Sequence, residues 1–256
     1  MKVAVILFPG TNCENETKRA VDSAGMTGEI VRWNEIRGLE NYDGYILPGG
    51  FSYEDRVRAG VIAAQDKLMD TIHEQAKAGK PVLGICNGAQ VLIETGLVPG
   101  LNGEIQMALA PNINPRVGGF YCTWTYIKNG PGKTTCAFNR FLDKGEIIPI
   151  PIAHGEGRFT TKDSGLLEKL RESGQVVFRY CNKSGGIGEF PTNPNGSLYN
   201  IAGVCNPKGN VLAMMPHPER ANWISQIPFT YKLGKEPPAR KIFLSMKAYM
   251  EESDGN

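Results

Sequence analysis

One cysteine in this 256-residue chain stands where a nucleophile would be displayed. The stretch Lys80-Pro81-Val82-Leu83-Gly84-Ile85-Cys86-Asn87-Gly88-Ala89-Gln90-Val91-Leu92 reads as a short apolar strand, a Gly-x-Cys-x-Gly bend and the opening of a helix. A strand that turns sharply into a helix projects its apex residue out of the sheet. Glycines two residues to either side let backbones approach where a Cβ would collide. The apex is Cys86. The helix start aims unpaired N–H groups and the positive end of its dipole at the sulfur, favouring thiolate over a free cysteine of pKa about 8.5. The same amides are placed to hold an oxyanion. The alternative is a buried structural cysteine, common on apolar strands.

A cysteine nucleophile needs a base to take its proton and a group to orient that base. Met215-Pro216-His217-Pro218-Glu219-Arg220 closes the last apolar strand. Pro218 pushes His217 into extended backbone, and residues i and i+2 of an extended segment share a side. Glu219 then lies beside the imidazole, able to fix its tautomer and stabilise the imidazolium. Alone, the hexapeptide also reads as a Pro-flanked surface loop; the cysteine elbow upstream favours the dyad. His154, in Ala153-His154-Gly155-Glu156-Gly157-Arg158-Phe159 after an apolar strand, lines the site or a partner face, or is a plain loop histidine. His73, among Glu74, Gln75 and Lys77, reads as a solvated surface residue.

These groups must be carried by a sheet. Residues 2–8 form a continuous apolar strand, and Thr11-x-x-Glu14 is a capping-box pattern for a helix to about Ala24. Strands follow near Glu29–Val31 and Gly44–Leu47, the opening of a doubly wound parallel sheet whose ligands sit at the carboxyl ends of strands. Pro48-Gly49-Gly50-Phe51-Ser52 and Cys86 both fall there. Helical spacing predicts one long helix over Ala59–Ala78, stopped by Gly79. From Phe120 on, β-branched and aromatic runs at 120–127, 147–153, 175–180, 201–205 and 211–215 predict antiparallel strands, with a turn at Asn129-Gly130-Pro131-Gly132. Pro238–Glu252 reads as a closing helix with a frayed end at 253–256. No linker-like shift divides the chain. The expected fold is one α/β domain over 1–256, a flavodoxin-like doubly wound, mostly parallel sheet with an antiparallel extension.

Composition narrows the function. A formal charge of +2, with no Lys/Arg cluster interleaved with aromatics, argues against nucleic acid and anionic membranes as partners. The first strand is too short for a signal segment and no run reaches membrane-spanning length, which predicts a cytoplasmic protein. The six cysteines form no Cys-x-x-Cys pair or Cys/His ligand spacing, so neither a structural metal nor a disulfide framework is expected. Cys13, Cys122, Cys136, Cys181 and Cys205 read as small core or loop residues.

The motif at 84–90 with His217-Pro218-Glu219 resembles the Cys-His-Glu set of the class I, triad-type glutamine amidotransferases, and Pro48–Ser52 resembles their oxyanion loop. More narrowly, the motifs at 8–14, 48–53, 58–60, 84–90, 153–159 and 215–220 are similar, in order, to the family of glutaminase subunits of phosphoribosylformylglycinamidine synthases. Two stretches depart from that pattern: Glu54-Asp55-Arg56-Val57 replaces an expected Gly-Asp-Tyr-Leu, and 222–240 is longer than the usual link to the last helix.

The resemblance implies hydrolysis of glutamine to glutamate and ammonia. Cys86 attacks the side-chain amide, and the backbone N–H groups of Gly50 and Asn87, in a loop with Gly49 and Phe51, hold the oxyanion. His217, oriented by Glu219, protonates the leaving ammonia and then activates water. Gln90 matches the position that hydrogen-bonds the bound glutamine; from the residues alone it is also a plain helix-surface glutamine. Free ammonia is protonated in neutral water. The resemblance therefore implies a partner, an ATP-dependent synthetase that makes formylglycinamidine ribonucleotide from formylglycinamide ribonucleotide, often with a small third subunit. No cofactor is expected in this subunit. Gly185-Gly186-Ile187-Gly188 lacks the strand, lysine and helix of a phosphate cradle, so ATP and magnesium are expected in the partner. The competing readings are a triad amidotransferase serving another synthetase, a free-standing cysteine hydrolase, and a glutaminase-like module kept only for binding.

Overall fold

The computed structural model describes residues 1–130, 136–228 and 236–253. Its first half alternates strands and helices: β1 (Lys2–Leu7), α1 (Glu14–Ser23), β2 (Thr27–Arg32), β3 (Gly44–Leu47), α2 (Val61–Ala64), α3 (Lys67–Lys77), β4 (Val82–Ile85) and α4 (Asn87–Glu94). The second half holds β5 (Ala108–Ala110), β6 (Tyr121–Asn129), β7 (Ile147–His154), β8 (Arg158–Thr160), α5 (Leu166–Glu172), β9 (Val176–Cys181), β10 (Ile201–Cys205), β11 (Val211–Met214) and α6 (Arg240–Ser253).

Nine strands form one sheet in the order β2-β1-β3-β4-β11-β10-β9-β6-β7. The first five are parallel to their neighbours. The last four continue it by antiparallel pairing. The inner parallel strands carry no polar face, unlike the edge strand β2 with its Glu29 and Arg32: Val3, Ala4, Val5 and Ile6 are fully buried, as are Val82, Leu83 and Ile85. This is what a sheet covered on both sides requires, and it is why the strands read as continuous apolar runs rather than alternating ones. The expected α/β fold with an antiparallel extension is the observed one. A separate two-stranded pair, β5 with β8, was not anticipated.

One pairing matters most for the site. β11 lies beside β4 in parallel register, with Val211 opposite Val82 and Met214 opposite Ile85. The chain therefore leaves both strands at the same end of the sheet, Cys86 from one and Met215–Glu219 from the other. The Cys86 N–H donates to the Met214 carbonyl at 2.8 Å, one step beyond the ladder.

Several local expectations are corrected. The single helix over 59–78 is two, because Asp66 caps α3: its carboxylate accepts from the Leu68 N–H at 3.0 Å and the chain breaks at Gln65-Asp66. The capping box before α1 does not form. Cys13 is the cap, and the Thr11 hydroxyl turns back to accept from the Phe8 N–H at 3.1 Å. His73 is half-buried on the wall of an open cleft that Leu97 and Asn206 also line, and burial lowers its pKa. The closing helix begins at Arg240, and among its described residues the long link before it contains a helical turn at Ile224–Gln226. The turn at 129–132, the middle of the 222–240 stretch and the frayed end lie partly or wholly outside the described residues. Among those described, no helix is long and apolar enough to cross a membrane.

Candidate active site

The elbow is built by backbone packing. Cys86 has φ 52° and ψ −107°, a conformation that side-chain-bearing residues avoid, between β4 and α4. Such a residue stores on the order of 1–3 kcal/mol of strain and persists only where its surroundings fix it. The two glycines of the motif do the fixing. A Cβ on Gly88 would lie 1.9 Å from the Leu47 carbonyl oxygen, and one on Gly84 would lie 2.5 Å from the Gly88 oxygen. Only bare glycines let β3, β4 and α4 close on one another around Cys86.

His217 and Glu219 meet, though not by the expected backbone. His217 is extended, but Pro218–Arg220 is a short helical turn rather than a continuing strand. That turn carries the Glu219 carboxylate to His217 Nδ1 at 2.6 Å. Glu219 is fully buried and His217 nearly so. The His217 N–H donates to the Pro151 carbonyl at 3.0 Å, pinning the segment to β7. Nε2 is buried and makes no hydrogen bond to a described residue. Burial alone would lower the imidazole pKa; the charges of Glu219 and Cys86 outweigh it and hold the pKa well above the usual histidine range. Buried imidazole, buried carboxylate and thiol form one electrostatic unit at the carboxyl ends of β4 and β11.

Gly49 marks where they converge. A Cβ there would lie 2.7 Å from His217 Cε1 and 3.4 Å from Cys86 Cβ. The next residues form the expected loop. The N–H groups of Phe51, Ser52 and Tyr53 are taken by the Gly10 oxygen at 2.8 Å, Asn87 Oδ1 at 3.0 Å and the Pro9 oxygen at 2.7 Å. The Gly50 N–H makes no bond to another described residue. The Asn87 N–H belongs to the first turn of α4, whose amides have no partner within the helix. Phe51 is half-exposed, its ring 6.0 Å from that of the exposed Phe120.

Gln90 is buried, not a surface residue. Its Oε1 accepts from Asn87 Nδ2 at 2.9 Å and its Nε2 donates to the Glu156 carbonyl at 2.8 Å. The Asn87 side chain also donates to Asp55 Oδ1 at 3.1 Å, tying the oxyanion loop to α4. His154 is buried at the end of β7, Nδ1 at 3.2 Å from Asn112 Oδ1. Asn112 Oδ1 also accepts the Gly157 N–H at 3.0 Å, which assigns the proton to Nδ1. Burial and the charge on His217 push the His154 pKa down to about 3. The plain-loop reading of His154 is therefore wrong; it is a neutral packing group beside the dyad.

Sequence reasoning missed Cys13, Arg220 and Asp55. Cys13 was read as a core or loop residue; its Sγ instead accepts from Arg220 Nη2 at 3.1 Å beside His217 and Glu219. Asp55 lies in a run of residues with positive φ at 53–55, and burial together with Glu156 raises its pKa to about 6. Arg220 directly follows Glu219 and Cys13 lies within the 8–14 motif, the available signals for both. Nothing in residue type distinguishes Cys13 from the other cysteines.

A cysteine elbow on a doubly wound sheet, with a His–Glu pair delivered by the neighbouring strand, is an arrangement that fits a glutamine amidotransferase. Residues 1–250 match the CobB/CobQ-like glutamine amidotransferase domain, and the chain belongs to that family. Within it the chain falls among the PurQ subunits. It is 51% identical to the phosphoribosylformylglycinamidine synthase subunit PurQ of Methanothrix thermoacetophila, over 98% of this chain and 99% of that one. It is 44% identical to the subunit of the same name from Pyrococcus furiosus, over 96% and 97%. Among solved structures, a chain of PurLQS from Thermotoga maritima superposes with a TM-score of 0.76 at 34% identity, covering 97% of this chain and 98% of that one.

Proposed function

We propose that this chain is the glutaminase subunit of a phosphoribosylformylglycinamidine synthase, releasing ammonia from glutamine for a partner synthetase in purine biosynthesis. Its membership of the PurQ family supports this, as does its likeness to a chain of the PurLQS assembly. The observation that carries the chemistry is the convergence of His217 and Cys86 on Gly49, with His217 Nδ1 held by Glu219 at 2.6 Å.

The Cys86 sulfur attacks the side-chain carbonyl of glutamine, and His217 takes the thiol proton. The carbonyl oxygen becomes an oxyanion between the N–H groups of Gly50 and Asn87, each such donor worth roughly 10² to 10³ in rate. Collapse expels ammonia, which receives its proton from His217 and leaves a glutamyl thioester. His217 then removes a proton from water, the hydroxide adds to the thioester, and glutamate departs as the sulfur recovers its proton. Gly49 keeps the space above Cys86 open. Gln90 shapes the pocket by holding Asn87 and the Glu156 carbonyl rather than by presenting a free amide; Phe51 flanks the entrance.

No cofactor works in this subunit. ATP and magnesium act in the partner, an ATP-dependent synthetase that forms formylglycinamidine ribonucleotide from formylglycinamide ribonucleotide, and a small third subunit completes the assembly. The glycines at 185–188 are not followed by a helix that could cradle a phosphate. The whole of 1–256 acts as a single amidotransferase domain.

The test is the Cys86→Ala variant reconstituted with its synthetase. Glutamine-dependent product formation is expected to vanish while ammonia-dependent formation stays within twofold of wild type. Retained glutamine-dependent turnover would remove Cys86 from the reaction.

A further inference from the structure

The His217–Glu219 pair has a second set of neighbours besides the reacting thiol. Cys13, the cap of α1, is 2% exposed, and its Sγ accepts from Arg220 Nη2 at 3.1 Å. The same guanidinium places Nε 3.9 Å from Glu219 Oε1. Ligand atoms of Cys13, His217 and Glu219 all lie within 4.8 Å of one another. A Cβ on Gly49 would sit 3.3 Å from Cys13 Sγ and 2.7 Å from His217 Cε1, so the sulfur stands against the edge of the imidazole. Thiol, imidazole and carboxylate make a donor set that suits a soft divalent ion. Here the guanidinium of Arg220 already supplies positive charge to both the sulfur and the carboxylate.

Cys13 also reaches the other half of the site. Its own N–H and that of Asn12 both donate to the Gly49 carbonyl at 3.1 Å, and the Phe51 N–H returns to the Gly10 carbonyl at 2.8 Å. One short segment, 10–13, thus grips the oxyanion loop through its backbone and the acid–base arm through its sulfur.

We propose that Cys13 and Arg220 are positioning residues: Arg220, braced on the Cys13 sulfur, holds the Glu219 carboxylate against His217, and Cys13 couples that grip to the oxyanion loop at Gly49. The inference rests on the roles given above to His217 and Glu219. A sulfur is suited to the task because it is soft, compact and an acceptor that an arginine fork can rest on, and this one also lies against His217, where it helps to hold the imidazole pKa up. The groups facing His217 are Glu219 and Arg220 from its own turn, Cys13 from the start of α1, Cys86 from the elbow and His154 from β7.

The experiment uses the reconstituted synthase. For Cys13→Ala, Cys13→Ser, Arg220→Gln and Arg220→Lys, kcat and KM for glutamine are measured against pH, alongside ammonia-dependent turnover. The pH dependence of Cys86 carboxymethylation is followed by peptide mass spectrometry. Cys13→Ala and Arg220→Gln are expected to lower kcat about tenfold with KM within twofold. Cys13→Ala moves the basic limb down by about half a pH unit or more, and Arg220→Gln, which removes a positive charge beside the imidazolium, moves it up. Cys13→Ser, which keeps an acceptor for Arg220, recovers most of the rate; Arg220→Lys, which loses the fork, does not. Ammonia-dependent turnover stays at the wild-type level in all four, showing that fold and docking survive. A wild-type kcat and pH profile in Cys13→Ala would overturn the proposal. So would a loss of kcat with no pH shift and no rescue by serine, which would make Cys13 a packing residue only. Failure of the underlying triad is read separately, as unaltered glutamine turnover in His217→Ala.

Discussion

Gly49 has no side chain to contribute, yet its substitution by alanine is the sharpest test of the site. Gly49 is not among the residues whose φ is positive, so alanine brings no backbone strain of the kind it would meet at Gly50, where φ is 149°. The cost is steric and local. The new methyl would lie 2.7 Å from His217 Cε1, 3.3 Å from Cys13 Sγ and 3.4 Å from Cys86 Cβ. The last two are tight to ordinary; the first is roughly 1 Å inside a carbon–carbon contact at its optimum. His217 cannot yield by sliding along its ring plane, because Nδ1 is tied to Glu219 at 2.6 Å and its backbone N–H to Pro151 at 3.0 Å. The ring must tilt away from Cys86. A misplacement of about 1 Å at a reacting group costs about 10²-fold in rate. Gly49→Ala in the assembled synthase is therefore expected to lose about 10²-fold in kcat for glutamine, with ammonia-dependent turnover and the thermal melting midpoint close to wild type. A glutamine kcat within threefold of wild type would show that the imidazole is not confined as described, and would refute the reasoning.

Two further predictions concern charge. Glu219→Gln keeps a hydrogen-bond partner for His217 but removes the charge that outweighs burial, so the imidazole pKa falls. Glutamine kcat/KM should drop by about 10² to 10⁴, the scale for a triad that loses its carboxylate, and the basic limb of its pH profile should move to lower pH; an unmoved limb would contradict the assignment. His154 is neutral in the fold, with its pKa pushed down to about 3 from 6.5. The unfolded chain takes up that proton first, so the stability is present above about pH 6.5 and drains away as pH falls toward 3. At about 1.4 kcal/mol per unit the loss is about 2 kcal/mol by pH 5. Urea unfolding at pH 7 and pH 5 should show a pH penalty smaller by about that amount in His154→Gln than in wild type; equal penalties would place the acid sensitivity elsewhere.

The sequence alone determined the parts that depend on local chemistry. Short continuous apolar runs rich in β-branched residues and bounded by Pro and Gly fit strands covered on both faces, so β1, β3, β4 and the parallel sheet were legible. The Gly-x-Cys-x-Gly bend was legible too, because a close strand–helix turn has no other residue that fits where Gly88 meets the Leu47 carbonyl. His217 and Glu219 were recognisable as a pair from their spacing, although a helical turn rather than an extended segment brings them together. Tertiary structure decided the rest, because it depends on which strand lies beside which. The pairing of β11 with β4 sets His217 opposite Cys86 across about 130 residues of chain, and no local pattern encodes that neighbour. The same holds for Cys13, whose sulfur finds Arg220 some 200 residues away. A small thiol looks alike in a core and in a site until its neighbours are known. The break at Asp66 went unread for a related reason: apolar spacing runs through it, and only a cap that closes on Leu68 reveals that the helix starts anew.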